Sequence, residues 1–145
     1  MIAVDTNILV YAHRAESPWH RAAYRCISRL AESGAPWGIP WPCIHEFLAI
    51  ATHPRIYNPP TPLPQALEQV DIWRESPSLR ILGELLEHWN EFKDIVSTGR
   101  ILGGAIHDAR IAAICVEHGV RELWSADRDF SRVSRLLVRN PLLAG

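Results

Sequence analysis

The first seven residues, Met1-Ile-Ala-Val-Asp-Thr-Asn7, constrain the fold more than any later stretch. Ile2, Ala3 and Val4 make an apolar run of strand length, and Thr6-Asn7 are residues that start helices. A second apolar run, Ile8-Leu9-Val10, follows at once. A short buried strand running into a helix places Asp5 at the carboxyl end of that strand. In open α/β sheets, ligands bind at that edge. An acid there also suits a plain helix cap, so the rest of the chain has to supply its partners.

The same alternation recurs along the chain. A short helix over Ile8–His13 is followed by one from about Ser17 to Ser33, with Pro18 allowed in its first turn. Ala22, Ala23, Cys26, Ile27 and Leu30 mark its buried face by three-and-four spacing, and Gly34 ends it. Trp37-Gly-Ile39 reads as a second strand stopped by Pro40 and Pro42. Pro42 opens a helix carrying Ile44, Phe47, Leu48 and Ala51, closed by His53-Pro54. Pro54–Pro64 holds five of the eleven prolines and reads as a surface loop. A helix over Gln65–Glu75 follows, with Leu67, Val70 and Trp73 facing inwards. Leu79–Leu82 is a third strand, and Glu84–Val96 an amphipathic helix with Leu85, Leu86, Trp89, Phe92 and Ile95 on its apolar side. Ser97–Gly104 is loop-like. Ala105–His118 is a helix with a packable face of Ala109, Ala112, Ala113 and Val116. Glu122–Ser125 is a fourth strand and Leu136–Val138 a fifth. The expected architecture is a single domain over 1–145, a three-layer α/β/α sandwich around a parallel four- to five-stranded sheet.

Composition excludes some classes. With 145 residues, 48% apolar and 21% charged, the chain suits one ordinary globular domain. No run approaches a membrane span and no secretory leader is evident, so a cytoplasmic protein is expected. Three widely spaced cysteines argue for buried free thiols rather than disulfides or a zinc site.

The acids fall into a pattern. Asp5 ends strand one, Glu46 lies about one turn into the helix after strand two, and Asp108 starts the helix after Gly103-Gly104. Asp127 follows strand four, with Asp129 two residues on. In a parallel sheet all would gather at one edge. Carboxylates at close quarters raise one another's pKa, and a hard divalent cation such as Mg2+ or Mn2+ relieves this in an oxygen-only site. Such a site acts on phosphoryl groups. Each acid has an ordinary alternative: a cap for Asp5, a salt bridge for Glu46, the helix dipole for Asp108 and turn chemistry for Asp127 or Asp129. Four such coincidences at one edge are a poor explanation.

Ile2–Val10, Pro42–Leu48, His107–Ala113 and Ser125–Phe130 together resemble the PIN-domain ribonucleases, and among these the VapC toxins of type II toxin–antitoxin systems. The resemblance spans nearly the whole chain, with the motifs in the family's order. It implies a PIN-like fold and endonucleolytic cleavage of RNA, such as a tRNA or rRNA, with Mg2+ or Mn2+ in an acidic pocket. By that resemblance Asp5 and Asp108 are metal ligands, Glu46 lies in the pocket, and the fourth acid is Asp127 or Asp129, with Asp127 nearer the strand end. Thr6 and Asn7 match the polar pair that can hydrogen-bond the first carboxylate or a water, and Ser125 is placed to do likewise. A homodimer, and a heterotetramer or larger assembly with a VapB-like antitoxin that inserts a residue into the pocket, are also implied.

Other signals are weaker. His45 and His107 precede site acids, but adjacent helical residues point about 100° apart, which suits packing or support. The Arg21/Arg25/Arg29 stripe reads first as a solvated helix face. Arg128, Arg132 and Arg135 stand nearer the fourth acid, where cations would draw a polyanion, and Trp41 is the candidate for base stacking. Two other classes fit an acidic strand edge. A phosphoacceptor signalling domain needs a lysine near a late strand end, and the only lysine, Lys93, lies inside a helix. An inactive antitoxin-binding PIN domain is opposed by the intact acidic set.

Overall fold

The computed structural model describes residues 1–128, 130 and 133–143. Asp129 and Arg132, both candidates above, lie outside the described residues. Five strands form one sheet: β1 (Ile2–Val4), β2 (Trp37–Pro40), β3 (Leu79–Leu82), β4 (Glu122–Trp124) and β5 (Leu137–Arg139). All pairings are parallel and the order is β3-β2-β1-β4-β5. Six helices connect them: α1 (Thr6–His13), α2 (His20–Glu32), α3 (Trp41–Ala51), α4 (Leu63–Arg74), α5 (His88–Gly99) and α6 (Ala105–Glu117). Right-handed crossovers put α1–α4 on one face of the sheet, and the reversed β3-to-β4 crossing puts α5 and α6 on the other. The packing agrees: α1 meets α2 and α3, α3 meets α4, and α5 meets α6. This is the expected three-layer sandwich.

The order places β1 at the centre and makes it the switch point, where the chain stops building to one side and starts on the other. Ligands of such sheets bind in the crevice outside the strand ends at that point. Ala3 and Val4 are fully buried, as are Ile39, Leu123 and the small-residue face of α6 around Ala112 and Ala113. Small residues there let α6 lie close to the sheet, where it contacts β2.

Several boundaries differ from the sequence reading. α2 starts at His20, not Ser17, because Ser17 Oγ accepts the Trp19 N–H at 3.1 Å and Ser17 and Pro18 are spent in a turn. Pro40 belongs to β2 and pairs in register with Leu82. It is tolerated because β1 pairs with β2 only as far as Gly38, so the missing N–H has no ladder partner to lose. α4 begins at Leu63 with Pro64 in its first turn. Its inward face is Ala66, Val70 and Trp73, leaving Leu67 exposed against expectation.

The largest correction concerns α5, which begins at His88 rather than Glu84. The preceding loop is held by α6: Glu117 accepts the Leu85 N–H at 2.9 Å, and His118 Nε2 bonds the Gly83 carbonyl at 2.7 Å. Leu85, Leu86 and Trp89 are therefore exposed, and Ile95 alone of the expected apolar face is fully covered. Of the thiols, Cys43 and Cys115 are buried, Cys26 is half-buried, and all are free.

Candidate active site

Asp5 is the centre of the site. It is 5% exposed at the carboxyl end of β1, and its own N–H bonds the Trp124 carbonyl at 2.9 Å, continuing the β1–β4 ladder. It does cap α1: Oδ1 accepts the Thr6 N–H at 2.8 Å. Capping uses one oxygen only. Oδ2 accepts a 2.6 Å hydrogen bond from Ser125 Oγ, across the switch point at the end of β4. Ser125 Oγ in turn accepts the Asp127 N–H at 2.9 Å, so the hydroxyl joins the first and fourth acidic motifs. Asn7 plays a different part: its Oδ1 accepts the Ala126 N–H at 3.1 Å and ties the start of α1 to the β4 exit.

Burial holds the Asp5 carboxyl above its ordinary range, opposed by its hydrogen bonds and reinforced by the charge of Asp127. Among the described residues, none of the groups acting on Asp5 is basic. Glu46, on an open part of α3, is also pushed up, first by partial burial and then by the charges of Asp5 and Asp127, while His107 draws it down. Asp5, Glu46 and Asp127 thus feel one another, as expected of acids gathered at one edge. Asp108 stands half-buried in the first turn of α6, where the helix dipole favours its charge.

The sequence reading missed Cys43. Its thiol points at Asp5 Oδ1 at 3.5 Å, and burial together with the Asp5 charge keeps it protonated. Its place three residues before Glu46, on the same helix, was the available signal. Cys115 on α6 is likewise held up by burial and by Asp5, which puts that helix within electrostatic reach of the site.

The oxygen donors suit a hard divalent cation, and one further observation supports this. Thr6 Oγ1 is buried and, among the described residues, makes no hydrogen bond of full geometry, although it lies close enough to Glu46 and to the Cys43 thiol to favour the charged form of each. An orphaned hydroxyl beside mutually repelling acids is what a water-carrying cation would satisfy. No group of three or more His, Cys, Asp or Glu stands at metal-holding spacing among the described residues. Mg2+ commonly takes only one or two carboxylates and fills its shell with water and phosphate oxygens, so this spacing is compatible.

Beside Glu46 a cleft of about 300 Å3 opens between α3 and α6, lined by residues that include His45, Glu46, His107 and Arg110. Arg128 is exposed just past Asp127. Arg135 is spent elsewhere, on Glu91 at 2.5 Å and Asp94 at 3.2 Å. The Arg21/Arg25/Arg29 stripe is exposed along α2, the ordinary solvated reading.

Residues 2–136 match the family described as PIN domain. Ribonuclease VapC43 of Mycobacterium tuberculosis is 36% identical over 142 residues, spanning 98% of this chain and 96% of the relative. Two solved structures share the fold: VapBC2 from Rickettsia felis bound to a promoter DNA fragment, and VapC20 of M. tuberculosis, a Sarcin-Ricin loop cleaving toxin. The first has a TM-score of 0.70 at 19% identity, covering 96% of this chain and 98% of that one. The second has a TM-score of 0.69 at 18% identity, covering 96% of this chain and 99% of that one.

Proposed function

The chain belongs to the PIN-domain family, and from that premise we propose that it is a metal-dependent endoribonuclease, the toxin of a VapBC-type toxin–antitoxin pair. The observation that carries the reading is Asp5: a buried carboxylate at the switch point, bonded by Ser125 and raised by burial and a neighbouring acid. A carboxylate kept at that cost, without a basic partner among the described residues, belongs to function rather than stability.

Asp5 and Asp108 would hold a divalent cation, Mg2+ or Mn2+, with Glu46 and Asp127 completing the acidic set. Such a cation, when bound, activates water and neutralises charge on the phosphoryl oxygens. The protein's own part is positioning. Ser125 fixes the Asp5 carboxylate by donating to Oδ2, and the Thr6 N–H fixes Oδ1. Asn7 anchors the β4 exit, so that Asp127 keeps its place relative to Asp5. Glu46, its proton affinity raised by burial and by the charge of Asp5, is suited to accept a proton from an attacking water. Arg128, exposed beside Asp127, is placed to meet a substrate phosphate.

The substrate is RNA, with a structured RNA such as tRNA or rRNA as the class to test first. The partner is a VapB-like antitoxin, and the assembly a homodimer that joins antitoxin in a heterotetramer or larger complex. No helix among the described residues is long and apolar enough to cross a membrane, and a cytoplasmic site of action is part of the proposal. The test is to sequence RNA 5′ ends after expressing wild type and Asp5→Asn side by side. New ends with wild type and none with the variant support the reading; the same ends with both contradict it.

A further inference from the structure

The helix that carries Glu46 has a feature at the edge of the cleft that phosphate chemistry leaves unused. Trp41 and His45, one helical turn apart on α3, are stacked, with ring centroids 6.0 Å apart and planes inclined by 24°. Both stand open to solvent: Trp41 is 41% exposed, whereas Trp37 and Trp73, which serve the core, are 1% and 7% exposed. His45 lines the cleft, and Glu46 is the next residue, so the rings and the carboxylate occupy neighbouring sectors of one helix. Arg110, across the cleft, is engaged with Glu84 at 2.6 Å.

We infer that Trp41 and His45 form a nucleobase subsite. The base of a nucleotide flanking the scissile phosphate stacks on this pair of rings while the phosphodiester lies against the acids at the strand ends. The inference rests on the nuclease reading and adds to it how the substrate is held. An acidic pocket repels a polyanion, so part of the hold has to come from contacts that carry no charge. Unstacked bases are bound on aromatic faces in this way, and with tolerance of sequence, because every base has a π-face. The other large exposed aromatics among the described residues lie on other elements: Trp19 and Tyr24 at α2, and Trp89 against Phe92 on α5.

The test uses the whole chain carrying Asp5→Asn, so that RNA is bound and not cut, with dye-labelled ten-nucleotide RNAs followed by fluorescence anisotropy. One RNA is all adenosine and the other has the same backbone with every base removed. Trp41→Ala should weaken binding of the adenosine RNA by ~5-fold to ~100-fold and leave the abasic RNA unchanged. Trp41→Phe should keep most of the affinity. Equal binding of the adenosine RNA by Trp41→Ala and its parent overturns the subsite. So does an equal loss for both RNAs, or a loss with Trp41→Phe as large as with Trp41→Ala. With Asp5 restored, Trp41→Ala should raise KM and spare kcat. If wild type cuts no RNA yet the base-dependent loss is seen, the nuclease reading fails and the subsite stands. If wild type cuts and the loss is absent, the reverse holds.

Discussion

Two nearly buried carboxylates in this molecule keep opposite company. Glu117, at the end of α6, has a side chain 5% exposed and both oxygens matched: Oε1 accepts the Leu85 N–H at 2.9 Å and Oε2 meets His88 Nδ1 at 2.6 Å. His88 also stands 3.8 Å from Glu84, which pairs with Arg110 at 2.6 Å. Asp5 is buried too, but its neighbours are an amide, two neutral donors (Ser125 and Cys43) and the charge of Asp127. The acid at α6 has a partner that can carry positive charge and closes a loop onto the fold. The acid at β1 is held in place and left repelled. The first arrangement serves stability and the second holds a charge ready for something not yet bound.

The contrast is broken most readily by removing each charge in turn. Asp5→Asn should lower RNA cleavage by ~1000-fold, the scale on which a preorganised electrostatic group acts, and should not lower the melting temperature. Glu117→Gln should do the opposite: cleavage within a few-fold of wild type, and a loss of roughly 1–3 kcal/mol in urea unfolding, because it unbalances a buried pair. Were Glu117→Gln the inactive variant and Asp5→Asn the unstable one, the assignment of the two acids would be inverted. Ser125→Ala comes next in size. It removes the donor to Asp5 Oδ2 and should cost ~10- to 100-fold in cleavage rate, read under single-turnover conditions.

The raised carboxyls set a pH dependence. Protonation of Asp5 and Glu46 removes the charges the site needs, so cleavage should fall as pH drops through a window above the ordinary carboxylate range. Added Mg2+ should move that window down. Stability carries the other sign. The folded chain binds the Asp5 proton more tightly than the unfolded chain, so the contribution of Asp5 is present at low pH and is lost as pH rises through its raised folded value. Asp5→Asn should therefore flatten the fall in melting temperature between acid and neutral pH. The smallest effect is expected from Leu86→Ser: at 98% exposure it should change unfolding free energy by less than ~0.5 kcal/mol, whereas a helix starting at Glu84 would have buried it.

What was legible in the sequence was local. Strand ends show as short apolar runs bounded by turn formers; Asp5 and Asp127 sit just past such ends, Glu46 lies early in the helix after β2, and Asp108 lies in the first turn of the helix after Gly103-Gly104. This is why Asp5, Glu46, Asp108 and Asp127 could be named before any geometry. What was not legible depends on pairings across long separations. Glu84-Leu-Leu-Glu-His-Trp has the composition of a helix start, but Glu117 and His118, some thirty residues on, capture the backbone at Leu85 and Gly83 and hold the segment open. The Ser125 bond to Asp5, across 120 residues, was legible only through the family resemblance, and Cys43 reads as an ordinary buried thiol until Asp5 is placed beside it. Propensity yields to such contacts because each long-range bond satisfies a group that would otherwise be stranded.

The central claim is that Asp5 is kept for chemistry at a cost to the fold. Purified wild type and Asp5→Asn, incubated with the same total RNA and Mg2+ and melted in parallel at neutral pH, test it directly. The account predicts cleavage by the wild type alone and a melting temperature for Asp5→Asn equal to or above that of wild type. Cleavage by both at one rate, or a variant that has lost its fold, would contradict it.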